Sequence, residues 1–326
     1  MEKQIYIGID VSSATLDICI RQDQTQQSFV INNEVKAIRA FFRRYTKQVL
    51  VIGMENTGRY NWMLYEVLAG TSHRVYVISP LHLKKSMGLA RGKNDKVDAI
   101  RIASFIEKNH SELKPWVCPK ASIQKLKILL TERTFRIKNK RQLLKQQYDY
   151  AKMKKLGLDR SLLKMNEQLI SKIEQQVSQL EEKIEQIIQT DEGLQQQASL
   201  MRSIPGVGKV LCWMMLAKTE GFTSIDEPRK MACYSGVVPF DYQSGTSIRG
   251  KQRVSAYADK SMKSALHLAA MSAIRLKNDL QQYYQRKVEE GKNKMSVLNA
   301  VRNKIIHRIF AVIKSQTPYQ HSLVLS

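Results

Sequence analysis

Cysteine is scarce and scattered in this sequence. The four cysteines, Cys19, Cys118, Cys212 and Cys233, lie far apart, and no two of them form a C-x-x-C pair. This spacing does not suggest a zinc ribbon or a disulfide framework. We expect reduced thiols, most of them buried.

Long apolar runs are also missing. Residues 210–217 form one of the longest apolar stretches, and they are far fewer than the roughly 20 residues of a membrane-spanning helix. The first residues, MEKQIYIGID, lead directly into a strand without the apolar segment of a signal peptide. We therefore expect a soluble cytoplasmic protein with no membrane partner.

Acidic residues are few compared with basic ones. The chain has 53 Lys and Arg against 29 Asp and Glu, for a net charge of +24. The basic residues are spread from Lys36 to Lys314, whereas a membrane-surface protein would concentrate them beside an amphipathic helix or a lipidation site. This charge indicates a polyanionic partner, and we expect nucleic acid.

The first part of the chain reads as an α/β domain, for which we set the bounds 1–110. Ile5, Ile7 and Ile9 alternate with other residues as in a strand, and a turn at Ser12-Ser13 leads to further strands up to residue 31. Alternating helices and strands follow, which predicts a mixed sheet. The later elements are expected at 34–47 (helix), 49–53 (strand), 59–69 (helix), 74–78 (strand), 81–88 (helix) and 95–106 (helix).

A helical arm over 111–195 is expected next. Residues 109–119 read as a linker, and 120–190 contain no proline and only one glycine, Gly157. Apolar residues recur there with coiled-coil spacing, at Ile170, Ile173, Val177, Leu180, Ile184 and Ile187. An intramolecular helical hairpin would show the same pattern. We favour a long antiparallel arm that also mediates dimerisation.

The remaining region, 196–326, is expected to be mainly α. An apolar helix is predicted over 209–219 and a short one near 227–234, followed by a Gly/Ser-rich loop at 235–250. Three closing helices are predicted at about 258–276, 278–290 and 293–315.

Four carboxylates stand out in the first domain. Asp10 ends the first strand, and Glu55 follows the buried strand 49–53. Asp95 and Asp98 are three residues apart on a predicted helix, so they share a face. Each alone could be a helix cap, a loop acid or a turn-former.

Taken together, the four carboxylates predict a metal site. Two like charges about 4 Å apart repel by roughly 4 kcal/mol at an effective dielectric constant of about 20, so such a cluster needs bound cations. Oxygen-only ligands suit Mg²⁺ or Mn²⁺. A pair of such ions can stabilise the attacking and leaving oxygens of a phosphoryl transfer.

The segments that carry these acids resemble a known family. The run Tyr6-Ile-Gly-Ile-Asp10 resembles the opening of a RuvC-like, ribonuclease-H-type domain, and the segments 55–60 and 93–99 resemble the matching motifs of the DEDD insertion-sequence recombinases. These enzymes are also termed bridge recombinases and are related to the Piv DNA invertases. Asp10, Glu55, Asp95 and Asp98 occupy the family's four acidic positions. Asn94 departs from the expected threonine.

A glycine-containing loop opens the C-terminal region. The run Ser203-Ile-Pro-Gly-Val-Gly208 resembles a helix-hairpin-helix loop, in which Gly206, Gly208 and Lys209 would contact a phosphate. A simple turn between packed helices would have the same sequence.

A serine-rich run carries the second family signature. Composition alone favours a turn for Gln243-Ser-Gly-Thr-Ser-Ile-Arg-Gly250. In the resembled family, however, the first serine of this motif is the nucleophile, which corresponds to Ser244, with Ser247 as the second candidate. Arg249, Lys251 and Arg253 would then contact nucleic acid, since a guanidinium can hold phosphate oxygens.

The resemblance implies a DNA transposase or site-specific recombinase of an insertion sequence, in a bacterial cytoplasm and associated with the nucleoid in use. Magnesium at the carboxylates would activate a phosphate, and Ser244 would form a covalent phosphoserine link to DNA. The implied partners are target and donor DNA, a guide (bridge) RNA encoded by the element, and further copies of the chain, a dimer that assembles to a tetramer. Two alternatives are a metal-dependent Holliday-junction resolvase or nuclease without serine chemistry, and a non-enzymatic nucleic-acid-binding scaffold.

Overall fold

A computed structural model describes residues 4–86, 94–153, 160–244 and 248–320, and for Arg59, 241–244 and 248–253 it describes the backbone alone. The chain divides into two compact units, Met1–Cys118 and Pro119–Ser326. Within the described ranges, no helix is both long enough and apolar enough to cross a membrane.

A five-stranded mixed sheet forms the centre of the first unit. Its strands are β1 (Ile5–Val11), β2 (Thr15–Gln22), β3 (Thr25–Asn32), β4 (Leu50–Glu55) and β5 (Arg74–Ile78). Their order across the sheet is β3-β2-β1-β4-β5. β1, β2 and β3 pair antiparallel, whereas β1, β4 and β5 pair parallel. The mixed α/β sheet expected from the sequence is confirmed.

In the part of this unit that the structure describes, four α-helices accompany the sheet. They are α1 (Val35–Phe42), α2 (Trp62–Leu68), α3 (Pro80–Ser86) and α4 (Asp95–Asn109). The helix expected over 34–47 ends earlier, because a 3-10 turn at Arg43–Tyr45 replaces its last part. The linker expected over 109–119 packs onto this unit: the ring of Trp116 stacks on that of Tyr65 with centroids 4.7 Å apart.

One face of the sheet buries branched aliphatic residues against α1 and α2. Ile7, Ile9 and Leu16 are almost fully buried there, and Ile38 and Leu64 reach them from the two helices. The alternation of apolar residues along β1 therefore places its odd-numbered side chains in this core, and its even-numbered positions belong to the opposite face.

Two glycines shape the opposite face. Gly8 of β1 and Gly53 of β4 are paired in register. A Cβ atom at Gly8 would clash with the backbone of α4 at Ala99 and Ala103, and one at Gly53 would clash with the side chain of Ile106. We call Gly8 and Gly53 the glycine strip. Because neither has a side chain, α4 can lie directly on the two strands.

The second unit begins with two long helices, α5 (Ala121–Lys152) and α6 (Arg160–Thr190). Arg133 pairs with Glu181 at 2.7 Å (Nη2 to Oε1), and Lys140 pairs with Glu174 at 2.5 Å (Nζ to Oε1). Partner numbers fall on α6 as they rise on α5, so the helices run antiparallel. Ile170 and Ile184, from the predicted seam, are buried. The coiled-coil arm as a separate dimerisation domain stays a prediction.

The rest of the second unit is mainly α, as expected. Its helices are α7 (Glu192–Arg202), α8 (Lys209–Thr219), α9 (Pro228–Tyr234), α10 (Lys260–Ala273), α11 (Asp279–Glu289) and α12 (Lys294–Ser315). α8 is buried on nearly every side, with Trp213 at its centre.

The loop expected over 235–250 is wrong in part. The structure has two antiparallel strands there, β6 (Phe240–Ser244) and β7 (Ile248–Arg253). Phe240 and Tyr242 alternate with polar residues, which is a strand pattern. The serines and glycines around them favoured a loop when composition alone was considered.

We expect Gly8→Ala to destabilise the first unit by about 1–3 kcal/mol, because its methyl group must displace the backbone of α4. Chemical denaturation of the full chain, followed by circular dichroism, measures the loss. Gly193→Ala is the matched control, since Gly193 lies within α7 and alanine is the better helix former. Equal stability of Gly8→Ala and the unchanged protein would contradict this packing.

Candidate active site

Two of the four predicted acids stand side by side on parallel strands. Asp10 is the penultimate residue of β1, and Glu55 is the last residue of β4. The register pairs Ile9 with Met54, so Asp10 and Glu55 are the next neighbours along the same two strands. Both follow the in-register glycines by two residues. They therefore belong to the face that α4 covers.

The other two acids lie in the first turn of α4. Asp95 is its first residue and Asp98 follows three positions later, so both can face the strands. Asn94 caps the helix, its Oδ1 accepting a hydrogen bond from the backbone N–H of Lys96 at 3.0 Å. Asparagine and threonine both serve as N-caps, so Asn94 can fill the structural role expected of the family's threonine.

The electrostatics of Asp10 show that the four acids lie close together. The pKa of Asp10 is raised from 3.8 to about 6, first by burial and then by the charges of Asp95, Asp98 and Glu55. A half-buried carboxylate surrounded by three others is unfavourable when ionised, because like charges repel in a poorly solvated site. Positive charge placed there would relieve this repulsion.

A fifth carboxylate, Asp17, stands beside the predicted four. Asp17 is directly opposite Asp10 in the antiparallel pair of β1 and β2. Burial raises its pKa, and the charge of Asp95 raises it further. This position could have been predicted from the sequence. The turn at Ser12-Ser13 sets the hairpin register, and that register places residue 17 opposite residue 10.

The acids lie near one another, but their side chains are not arranged as the ligands of one metal ion. Among the residues that the structure describes, no three His, Cys, Asp or Glu side chains are placed to hold one metal ion together. Asp98 instead accepts a hydrogen bond from Arg101, one turn along α4, at 3.0 Å (Nη1 to Oδ1). The oxygen-only donor set and the raised pKa of Asp10 nevertheless fit a hard divalent cation.

Ser244, the predicted nucleophile, lies in the second unit at the end of β6. Its backbone pairs with Ile248, the first residue of β7, so it closes the strand pair at the connection between the two strands. Arg249 pairs with Gln243 and Arg253 with Phe240. The basic residues predicted to contact nucleic acid, Arg249, Lys251 and Arg253, thus all belong to β7. Ser247 lies outside the described residues.

Side chains from α12 hold the segment that leads into β6. Asn299 Nδ2 donates to the carbonyl oxygen of Val237 at 2.6 Å, and Arg302 Nη1 donates to Asn299 Oδ1 at 3.2 Å. Arg302 is only 5% exposed, and its Nη2 lies 2.7 Å from His267 Nδ1. This buried set ties the base of the strand pair to the helical core, and sequence reasoning missed it.

The glycine loop joins α7 to α8, as a helix-hairpin-helix loop would. Gly206 has a φ of +86°, and a Cβ there would clash with the carbonyl oxygen of Ala269, so this glycine is required by packing against α10. Gly208 is different, since a Cβ there would meet nothing within 4 Å. Gly208 and Lys209 are exposed at the start of α8, and phosphate contact by these two residues stays a prediction.

We expect Asp10→Asn to raise the melting temperature in a chelator at neutral pH. The folded-state pKa of Asp10 lies above the ordinary value, so its ionisation opposes folding; this penalty is absent below 3.8 and complete above about 6. Thermal unfolding across this pH range should show the two proteins converging at the acidic end. Glu34→Gln, which neutralises an exposed carboxylate, is the control. A pH-independent difference would contradict the carboxylate cluster.

Two family models match separate parts of this chain. The DEDD model of IS110 elements, described as a transposase, matches residues 7–149. A second model, described as the transposase IS116/IS110/IS902 family, matches residues 198–285. The first span contains the four predicted acids, and the second contains Ser244 and all of β7.

Similarity to individual proteins extends along nearly the whole chain. The pilin gene-inverting protein of Moraxella bovis is 28% identical over 323 residues, which cover 96% of this chain and 97% of that protein. The protein of the same name from Moraxella lacunata is 28% identical over 325 residues, with the same coverage. An insertion element IS110 protein of Streptomyces coelicolor is 27% identical over 121 residues, 37% of this chain and 30% of that protein. With the acids in order on the sheet and on α4, these similarities establish that the chain belongs to the DEDD transposases of IS110-type insertion elements and is a DNA recombinase.

Proposed function

We propose that this transposase cuts and rejoins DNA through two groups, a carboxylate site at Asp10, Glu55, Asp95 and Asp98 and a serine nucleophile at Ser244. One observation carries the proposal: the glycine strip of β1 and β4 seats α4 so that its first turn meets the ends of the same two strands. Four acids from three elements converge there, although they would repel one another in the absence of a cation.

The carboxylates would hold divalent metal, which transposases of this family use. Such an ion, Mg²⁺ or Mn²⁺, supplies charge stabilisation to the phosphate that reacts. Asp10 and Glu55 fix the site to the sheet, since their backbones are held in the strand ladder. Asp95 and Asp98 complete it from the helix, and Asp17 contributes negative charge from β2.

Ser244 would attack the phosphate of one DNA strand. Its Oγ forms the new bond to phosphorus, the bond to a deoxyribose oxygen breaks, and the hydroxyl proton leaves with the help of a base or metal. The phosphoserine that results keeps the energy of the broken bond, so the strand can be rejoined to a new partner. This suits transposition or inversion, and the names of the near-full-length relatives favour the same reaction type.

The resemblance further implies that sequence choice rests with RNA. We infer a structured RNA encoded by the element that pairs with target and donor DNA, while the protein contacts backbones. A net charge of +24 is in keeping with two kinds of nucleic acid bound to one protein. We also infer that Ser244 of one copy serves the carboxylate site of another copy.

Such a composite site requires self-association, for which the arm helices offer a surface. Leu162, Met165 and Leu169 of α6 are 41%, 58% and 53% exposed. Their spacing of three and four residues puts them on one face of the helix. An exposed apolar stripe at this spacing is typical of helices that pack against a partner helix. We propose that this stripe joins two copies, and that two such dimers form the active tetramer.

We expect Ser244→Ala to abolish a covalent protein–DNA adduct. The assay uses duplex DNA spanning the ends of the element, the RNA encoded beside them and Mg²⁺, and detects the adduct by denaturing gel electrophoresis. Ser264→Ala, at an exposed position of α10, is the matched control and should keep the adduct.

The same assay separates the alternatives. Strand cleavage that persists in Ser244→Ala without an adduct indicates a metal-dependent resolvase or nuclease that uses water. An adduct that persists in Ser244→Ala but disappears in Ser247→Ala moves the nucleophile to the second serine. DNA binding without cleavage by every variant, including Asp10→Ala, indicates a scaffold.

We expect the combined change Leu162→Gln, Met165→Gln and Leu169→Gln to shift the protein toward monomer, because it removes the apolar stripe of α6. Sedimentation equilibrium measures the mass. Gln168→Ala and Gln175→Ala together, at exposed polar positions of the same helix, should leave the mass unchanged. A full-size oligomer in the triple variant would place self-association elsewhere.

A further inference from the structure

Helix α5 carries a stripe of exposed cations that the proposed reaction does not use. Lys138, Arg141, Lys145 and Lys152 are all exposed. With Tyr148 between the last two, their spacing is three, four, three and four residues. Side chains at this spacing lie on one face of a helix. We call these four cations and Tyr148 the basic stripe.

Three other cations of α5 form ion pairs with residues outside this helix. Lys127 pairs with Glu220 at 2.5 Å (Nζ to Oε1), Arg133 with Glu181, and Lys140 with Glu174. Among the ion pairs of the described residues, none includes a cation of the basic stripe. Three cations of α5 therefore hold it to its neighbours, whereas the four of the basic stripe remain available to a partner.

Among the described ion pairs, no acid of α5 pairs with a cation of the basic stripe. Within α5 the acids are Glu132 and Asp149. Glu132 pairs with Arg136. Asp149 is half-buried and takes part in none of the ion pairs of the described residues. Lys152 Nζ lies 4.1 Å from the centroid of the Tyr148 ring, which holds the distal cation along the stripe without neutralising it.

We propose that the basic stripe binds the phosphate backbone of duplex nucleic acid. Fourteen helical steps separate Lys138 from Lys152, or about 21 Å at 1.5 Å per residue. Duplex DNA carries a charge about every 1.7 Å of its axis, so four cations along one line meet several phosphates at once. Binding here rests on the DNA substrate of the family and is independent of the role of Ser244.

Charge favours nucleic acid over a second copy of the chain as the occupant. Each copy has a net charge of +24, so two copies brought together at cationic surfaces repel. Of the α6 acids that contact α5, Glu174 and Glu181 are already paired within the same chain. Glu167 accepts a hydrogen bond from Gln147 of α5 at 3.2 Å. A polyanion meets no such obstacle and gains from counterion release.

The experiment removes the charge of the stripe and leaves Tyr148 in place. The variant combines Lys138→Gln, Arg141→Gln, Lys145→Gln and Lys152→Gln. The control combines Arg160→Gln, Lys164→Gln, Lys172→Gln and Lys183→Gln, which removes the same charge from exposed positions of α6. The probe is a fluorescent DNA duplex of about 30 base pairs and arbitrary sequence, long enough for non-specific contacts. Anisotropy is measured in a chelator, so cleavage does not interfere.

We expect the stripe variant to bind at least about tenfold more weakly at about 0.1 M salt, and the slope of log K against log salt to fall by up to about 3–4. The α6 control should show a clearly smaller change in both. Equal losses in the two variants would mean that only total charge matters and would overturn the proposal, as would an unchanged slope in the stripe variant.

Two further readouts keep the result specific. Circular dichroism should show both variants folded, since none of the eight residues takes part in an ion pair of the described structure. Sedimentation equilibrium should show both at the mass of the unchanged protein. A stripe variant that changes mass and keeps its DNA affinity would show that this face joins copies of the chain, and the proposal would be wrong. Ser244→Ala should bind the duplex as the unchanged protein does, so a failure of the proposed nucleophile would not affect this test.

Discussion

The carboxylate site depends on the contact between α4 and the glycine strip, Gly8 and Gly53. The side chains between a helix and a sheet normally keep their two backbones apart, and glycine in a strand marks a place where another backbone comes close. Here the backbone of α4 at Ala99 and Ala103 meets β1 directly. Small residues on both sides make this approach possible, and the first turn of α4 is thereby brought within electrostatic range of Asp10.

That packing brings several carboxylates together, and the chain alone does not neutralise their negative charge. Asp10 is half-buried among carboxylates from β4 and α4, and its pKa is raised to about 6 by this burial and by repulsion from those carboxylates. Arg101 offsets part of the charge of Asp98, at a position one turn away along the helix. The carboxylates at the ends of β1 and β4 and at the start of α4 therefore repel one another, and bound cations can relieve this repulsion.

Much of this could be predicted from the sequence, because periodicity and motif order determine it. Asp10 and Glu55 follow buried strands, and parallel pairing then brings them together. The spacing of Asp95 and Asp98 fixes their shared face. Asp17 was missed because a strand was assigned without its register. The strands around Ser244 were missed because serine and glycine favour loops, whereas the alternation of Phe240 and Tyr242 depends on tertiary packing.

The glycine strip also bears on how inactive copies of such an element can be recognised. A copy that had exchanged Gly8 or Gly53 for a larger residue would retain every carboxylate and still be unable to seat α4. Integrity of the carboxylate cluster therefore has to be judged also at two positions that carry no functional group at all.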